Sequence, residues 1–135
     1  MIRTVILAVA CSVLNGACQT QYAEDPHSFL DITVHDGSSS EFLKVAERTA
    51  RKHGLTVDRG EFAEARHHIY ALRFEGREFA ASVSNPHRPQ EFVLATYLAA
   101  TGARSPAGER QFVAEVIDEV VSQDLGRVSP RPKQP

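Results

Sequence analysis

The chain has 135 residues, 15 basic and 17 acidic for a net charge of −2 with histidine neutral, and two cysteines. That length suits one domain with one core, and the charge balance offers no general attraction to nucleic acid or anionic lipid. Two cysteines are too few for a disulfide framework.

The first elements are those of an export leader. Met1 to Thr4 carries one positive charge, at Arg3, Val5 to Leu14 is an unbroken apolar-to-small run, and Asn15-Gly16-Ala17-Cys18 follows with small residues before a cysteine. This is the order of a secretory signal. The run is too short to span a bilayer, which takes roughly 20 apolar residues, and so reads as a removable signal in preference to an anchor.

Gly16, Ala17 and Cys18 resemble the end of a bacterial lipoprotein signal, in which a leucine, two small residues and a cysteine mark the cleavage site. Asn15 departs from that pattern, and the leucine stands one residue early, at Leu14. The resemblance implies lipidation of Cys18 as the first mature residue. By the same resemblance, Gln19 after the cysteine directs the protein to the outer membrane, facing the periplasm, with palmitate among its acyl chains. Ordinary cleavage after Ala17, giving a soluble periplasmic or secreted chain, is the alternative. Processing before Cys18 discards Cys11, so the mature chain carries a single thiol and no internal disulfide. A lone thiol in an oxidising compartment is a liability that acylation removes, and more than one acyl chain holds a protein on a membrane stably.

Residues 1–17 are thus expected to be the signal, 18–27 a polar tether, 28–125 a single α+β domain, and 126–135 a disordered, basic tail with three prolines. Within the domain, Leu30, Ile32 and Val34 alternate with polar residues and predict a strand with one buried face. Asp36-Gly37 turns the chain, and Ser38 with Glu41 spells a capping box. The helix that follows has an inward stripe of Phe42, Val45, Ala46, Thr49 and Ala50, cations Arg51 and Lys52 in its last turn, and Gly54 for a left-handed end.

Leu55 to Val57 predicts a short strand, with a connection over 58–66. His68 to Phe74 and Arg77 to Val83 then alternate as a hairpin about Glu75-Gly76, which places Leu72 opposite Phe79. Asn85 to Pro89 is a rigid turn. The segment 91–99 mixes helix and strand signals and is read as a strand that extends the hairpin. Ser105-Pro106 opens a second helix with Phe112, Val113, Val116, Ile117, Val120 and Val121 on its apolar face. The expected fold is α+β, an antiparallel sheet of four or five strands with two helices packed on one face. The element order is similar to that of small two-helix lipoproteins of outer-membrane assembly, an analogy of architecture that carries no motif.

The chemistry-bearing residues are sparse. Six histidines invite a metal reading, with His35, His68 and His87 the best set, but His67 and His68 face opposite ways on a strand and no helical His pair supports them. No metal site and no cofactor are expected. Ser38, His35 and Asp36 spell a Ser/His/Asp set that any serine-rich turn would allow, and no nucleophile elbow is present. Glu115, Asp118 and Glu119 lie opposite the apolar stripe of the second helix, a solvated face or a docking patch for a basic partner. Tyr70 and Tyr97 suit either an exposed sheet or a half-buried core. No catalytic residue emerges.

Two function classes remain. The first is a small exported, lipid-anchored, non-catalytic protein-binding module of the bacterial cell envelope, of assembly-accessory or toxin-neutralising type, with no nucleic-acid partner. It would grip its protein partner through an exposed sheet edge or the uncovered sheet face, with Ile69 and Arg73 as interface candidates on the face. The second is a periplasmic small-ligand or metal-binding domain, or a minor hydrolase, working from the histidine-bearing loops.

Overall fold

The computed structural model describes residues 20–63, 68–100 and 106–131. The elements run β1 (Ser28–Val34), α1 (Ser39–Lys52), β2 (Thr56–Ala63), β3 (His68–Glu75), β4 (Phe79–Ser84), β5 (Glu91–Leu98), α2 (Ala107–Ser122) and β6 (Gly126–Pro130). All six strands join one antiparallel sheet in the order β2-β3-β4-β5-β1-β6. Among the described residues, the α+β class and two helices agree with the sequence expectation, and the sheet has six strands, not four or five.

The local signals explain most of these elements. Leu30, Ile32 and Val34 are buried on one face of β1, and all five residues of the α1 stripe are buried. Segment 91–99, ambiguous in sequence, forms β5 over Glu91–Leu98, because Phe92 and Leu94 find a core beneath the sheet. Both helices pack into that core. Phe112 of α2 sits at its centre, with ring centroids 6.2 Å from Phe74 and 5.5 Å from Phe79, and Phe42 of α1 meets Phe92 at 4.8 Å. Val121 departs from the expected apolar face. It lies nine residues from Phe112, half a turn around the helix, and is 62% exposed.

Four further expectations are corrected. Ser38 precedes α1 but its hydroxyl makes no capping bond, so the capping box is not formed; Ser39 Oγ donates instead to Pro89 O at 3.4 Å. The 58–66 connection is β2 as far as Ala63. Its sequence hides this because β2 is an edge strand with little to bury: two residues on from Val57, which packs against the core, stands Arg59, which ion-pairs with Glu47 of α1. Charged residues on an edge also discourage pairing with other chains.

The β3–β4 hairpin turns two residues later than expected. Gly76 N–H donates to Phe79 O at 3.1 Å, leaving Arg77 and Glu78 as the loop, so Leu72 faces Val83 and Phe74 faces Ala81. The pairing slides by four residues, an even number that keeps every side chain on its face, and Leu72 and Phe79 remain core. Gly76 lacks a positive φ; a Cβ there would press on the terminal methyl of Leu55, which would have to shift.

The expected tail, finally, is β6 over 126–130, paired with β1. Proline there is compatible with a sheet because β6 is an edge. Arg131 N–H donates inward to Phe29 O at 2.9 Å, and the alternation of an antiparallel ladder puts the missing N–H of Pro130 on the outer side.

Both helices end alike. In α1 the Gly54 N–H reaches Arg51 O and the Leu55 N–H reaches Ala50 O; in α2 the Asp124 N–H reaches Val121 O and the Leu125 N–H reaches Val120 O. This is the Schellman pattern, which needs a left-handed residue at its turn. Gly54 adopts it at φ 76°, but in α2 the position falls to Asp124 at φ 51°, a conformation glycine enters more cheaply. Among the described residues, the Asp124 side chain has an exposed contact with His35 at 3.2 Å to lose, a kind of pair worth little. Asp124→Gly is therefore expected to stabilise the fold by about 0.5–1 kcal/mol, read as a shifted urea midpoint at constant slope. A lower midpoint would show that the Asp124 side chain contributes more than its strain costs.

Candidate functional site: the open sheet face and its docked N-terminal segment

With both helices on one side, the alternate residues of every strand form an open face. The registers set Asp58, Arg73, Ser82, Ala95 and Phe29 side by side across five strands. Ala71, Ser84, Val93 and Asp31 make the neighbouring row, and Glu75, Ala80 and Tyr97 the row on the other side. The centre is small. At one margin Arg131 lies over the Phe29 ring at 4.7 Å and bonds both Asp31 oxygens at 2.8 and 2.9 Å.

Part of this face is covered by chain that reads as tether in the sequence. Residues 20–27 run beside the end of β5: Ala100 N–H donates to Gln21 O at 2.8 Å, Ala23 N–H to Leu98 O at 2.9 Å, and His27 N–H to Thr96 O at 2.7 Å. Tyr22 bridges to Ala99, and its hydroxyl donates to Gly76 O at 2.6 Å. Burial pushes the Tyr22 phenol above its usual range and the Glu75 carboxylate adds to this, against the lowering effects of Thr20, the Gly76 bond and Arg73.

Of the two interface candidates, Ile69 lies on the open face opposite Phe62 of the edge strand and is half-buried. Arg73 shares that face but is already engaged. Its guanidinium is 5.6 Å from the ring centroids of both Tyr22 and Tyr97, Nε lies 3.3 Å from Glu75 Oε1, and its side chain is 39% exposed. Arg73 thus helps fasten the N-terminal segment. The two tyrosines left open by the sequence part company: Tyr97 is on the open face, while Tyr70 packs against the core.

Beneath the same segment is a buried polar cluster that sequence reasoning missed. Glu109, in the first turn of α2, has no exposed surface. Its Oε1 accepts from Ser28 Oγ at 2.5 Å and from Thr96 Oγ1 at 2.6 Å, and Oε2 meets His27 Nδ1 at 2.9 Å. Thr96 Oγ1 in turn accepts from the Ser28 N–H at 3.0 Å. Three donors for one buried carboxylate meet the rule that buried charge must be hydrogen-bonded, and the first turn of a helix favours an anion. Serine and histidine both bond the acid, so the imidazole does not stand between hydroxyl and carboxylate as a relay triad requires. The cluster joins the chain before β1 to β5 and α2. Its signal in sequence was a Glu three residues after Pro106, which resembles any exposed first-turn acid.

The remaining candidates disperse. His35 pairs with Asp124, His68 and His87 are exposed on β3 and the β4–β5 loop, and among the described residues no three His, Cys, Asp or Glu could hold a metal ion. Asp36 bonds Gln90, away from Ser38. Of the acidic residues on α2, Glu115 meets Lys52 and His53 at 3.3 Å and Glu119 meets Arg48 at 3.4 Å, so they tie α2 to the basic end of α1. Burial raises the Glu115 carboxyl, but Lys52 and His53 outweigh it and hold the group low. Cys18 and the expected signal, residues 1–17, lie outside the described residues. No family model and no curated protein matches the chain.

Glu109→Ala strands three donors in the interior and is expected to cost about 3 kcal/mol or more, with Ser28→Ala near 1 kcal/mol; equal, small losses in urea titration would deny Glu109 its role as hub. The Tyr22 docking has its own pH signature. Because the folded phenol is raised, its contribution is complete below the ordinary value of 10.0 and is lost as pH climbs through the folded value. The difference in tyrosinate absorbance between wild type and Tyr22→Phe should have its midpoint above 10.0, and a midpoint below that would contradict the docking.

Proposed function

We propose that the chain is a small exported, non-catalytic protein-binding module of the bacterial cell envelope, anchored by lipid at Cys18 and gripping its partner through the open sheet face. The observation that carries the reading is a sheet face that no helix covers among the described residues, on a chain in which Gly16-Ala17 precede Cys18. Gln19 favours retention at the outer membrane, on the periplasmic side. The assembly-accessory and toxin-neutralising roles both belong to this class.

Ile69 is the better of the two interface residues, because its replacement disturbs no observed fastening. Arg73 serves the N-terminal segment first. The histidine-loop alternative, a small-ligand or metal site, is the weaker reading: a cleft of ≈ 400 Å³ lies at the other end of the sheet, lined by His53, Gly54, Leu55 and the β3–β4 loop, away from His35, His68 and His87.

The intact mass of the mature protein from a Gram-negative host tests the anchor. A chain beginning at Cys18 with added acyl mass is expected, and Cys18→Ser should move the protein from membrane to soluble fraction. An unmodified chain starting at Cys18 would replace the proposal with a free secreted domain. For the face, Ile69→Glu should leave the circular dichroism unchanged and weaken recovery of the partner from crosslinked envelopes.

A further inference from the structure

We infer that the anchored chain stands on the lipid headgroups through the β3–β4 hairpin end of its sheet, with the β4–β5 loop held on the far side. The inference rests on acylation of Cys18 as proposed above and on how near to that residue the fold begins. Gln21 is bonded to Ala100, Tyr22 to Gly76 and Ala23 to Leu98. Between Cys18 and Gln21 there are three Cα–Cα steps, a leash that reaches about 11 Å at most whatever its conformation. A domain of this size has a radius of gyration near 13 Å and is about 35 Å across. The leash is thus much shorter than the body it holds.

Where the leash leaves the domain decides which end faces the bilayer. Residues 21–23 lie beside Leu98 to Ala100, at the end of β5. That strand is the fourth of six, so the attachment is central. The Tyr22 hydroxyl on Gly76 marks the same end as the β3–β4 turn, where the exposed Arg77 is flanked by exposed Glu75 and Glu78, so the length of the leash, not charge, sets the orientation. The other end is the 85–90 loop, fixed by buried Asn85, whose Oδ1 accepts from the Tyr70 N–H at 2.6 Å and whose Nδ2 donates to His68 O at 3.0 Å. Six residues of β4 at about 3.4 Å each separate the two ends by about 20 Å. A partner that grips the open face must consequently meet it close to the membrane surface.

The test places a photocrosslinking p-benzoylphenylalanine at Arg77 or at His87 in the full chain, exported and recovered in native membranes. Both sites are exposed. Lipid adducts, read by mass, are expected about tenfold more often at position 77 than at 87. A twelve-residue Gly/Ser insertion between Gln19 and Thr20, with a mean span of about 20 Å, should bring the two yields within about twofold. An acylated chain with equal yields at both sites before insertion overturns the orientation alone. A mature chain without acyl mass overturns the anchor, and the orientation with it.

Discussion

Two helices can cover only one face of a six-stranded sheet, and the rest of the molecule follows from that limit. Strands about 4.8 Å apart make the sheet about 24 Å wide, which two helices side by side, each about 10 Å across, span once and not twice. The covered face takes the large apolar residues: Ile32, Phe74, Val83, Phe92 and Leu94 meet Phe42 and Phe112 with no exposed surface to speak of. Among the described residues no helix covers the other face, and only the Tyr22 segment lies over part of it. Its central Ala80 and Ala95 are buried, while Ser82 and Ser84 are partly exposed, and arginines lie over aromatic rings, where the stem and the guanidinium plane shield apolar surface while the charge stays wet.

The polar contacts divide by burial into two kinds of work. The basic end of α1 and the acidic side of α2 meet in exposed pairs, Arg48 with Glu119 and Lys52 with Glu115, and such pairs contribute little to stability. They set which sides of the helices adjoin. The Glu109 cluster is buried and non-local, joining residues more than 80 apart in sequence. Its removal would leave donors without water or partner, so it fixes the start of β1 against α2 far more firmly than the surface pairs fix the helices.

How much of this was legible follows from what each signal reports. Hydrophobic alternation and the helical stripe report burial of a face, so β1, α1 and the core side of the hairpin were readable from Leu30-Ile32-Val34, Phe42 to Ala50 and Leu72-Phe79, whereas β5, with mixed helix and strand signals, was read as a strand only as an extension of the hairpin. The edge strands β2 and β6 bury little, and their residues, Asp58-Arg59-Gly60 and Val128-Ser129-Pro130, look like connection and tail; only pairing with β3 and β1 makes them strands. Turn chemistry suggested a glycine-centred hairpin, whereas the loop is Arg77-Glu78 and Gly76 stands before it, close to the Leu55 side chain. The Glu109 cluster was invisible because its four residues are scattered over 27, 28, 96 and 109, and no local pattern distinguishes a first-turn glutamate that turns inward from one that faces solvent.

The same scatter explains why the interface candidates separate once the fold is known. Alternation along β3 places Ile69 and Arg73 on one face and gives them equal standing, since period two is blind to anything beyond the strand. What distinguishes them is a segment fifty residues earlier, Tyr22, whose ring and hydroxyl take up Arg73 and Gly76 together. Replacing Arg73 would act first on how the domain is fastened to the chain that leads to Cys18, and only then on any partner. Ile69 carries no such obligation, so the open face can be probed there without loosening the end by which the domain is held.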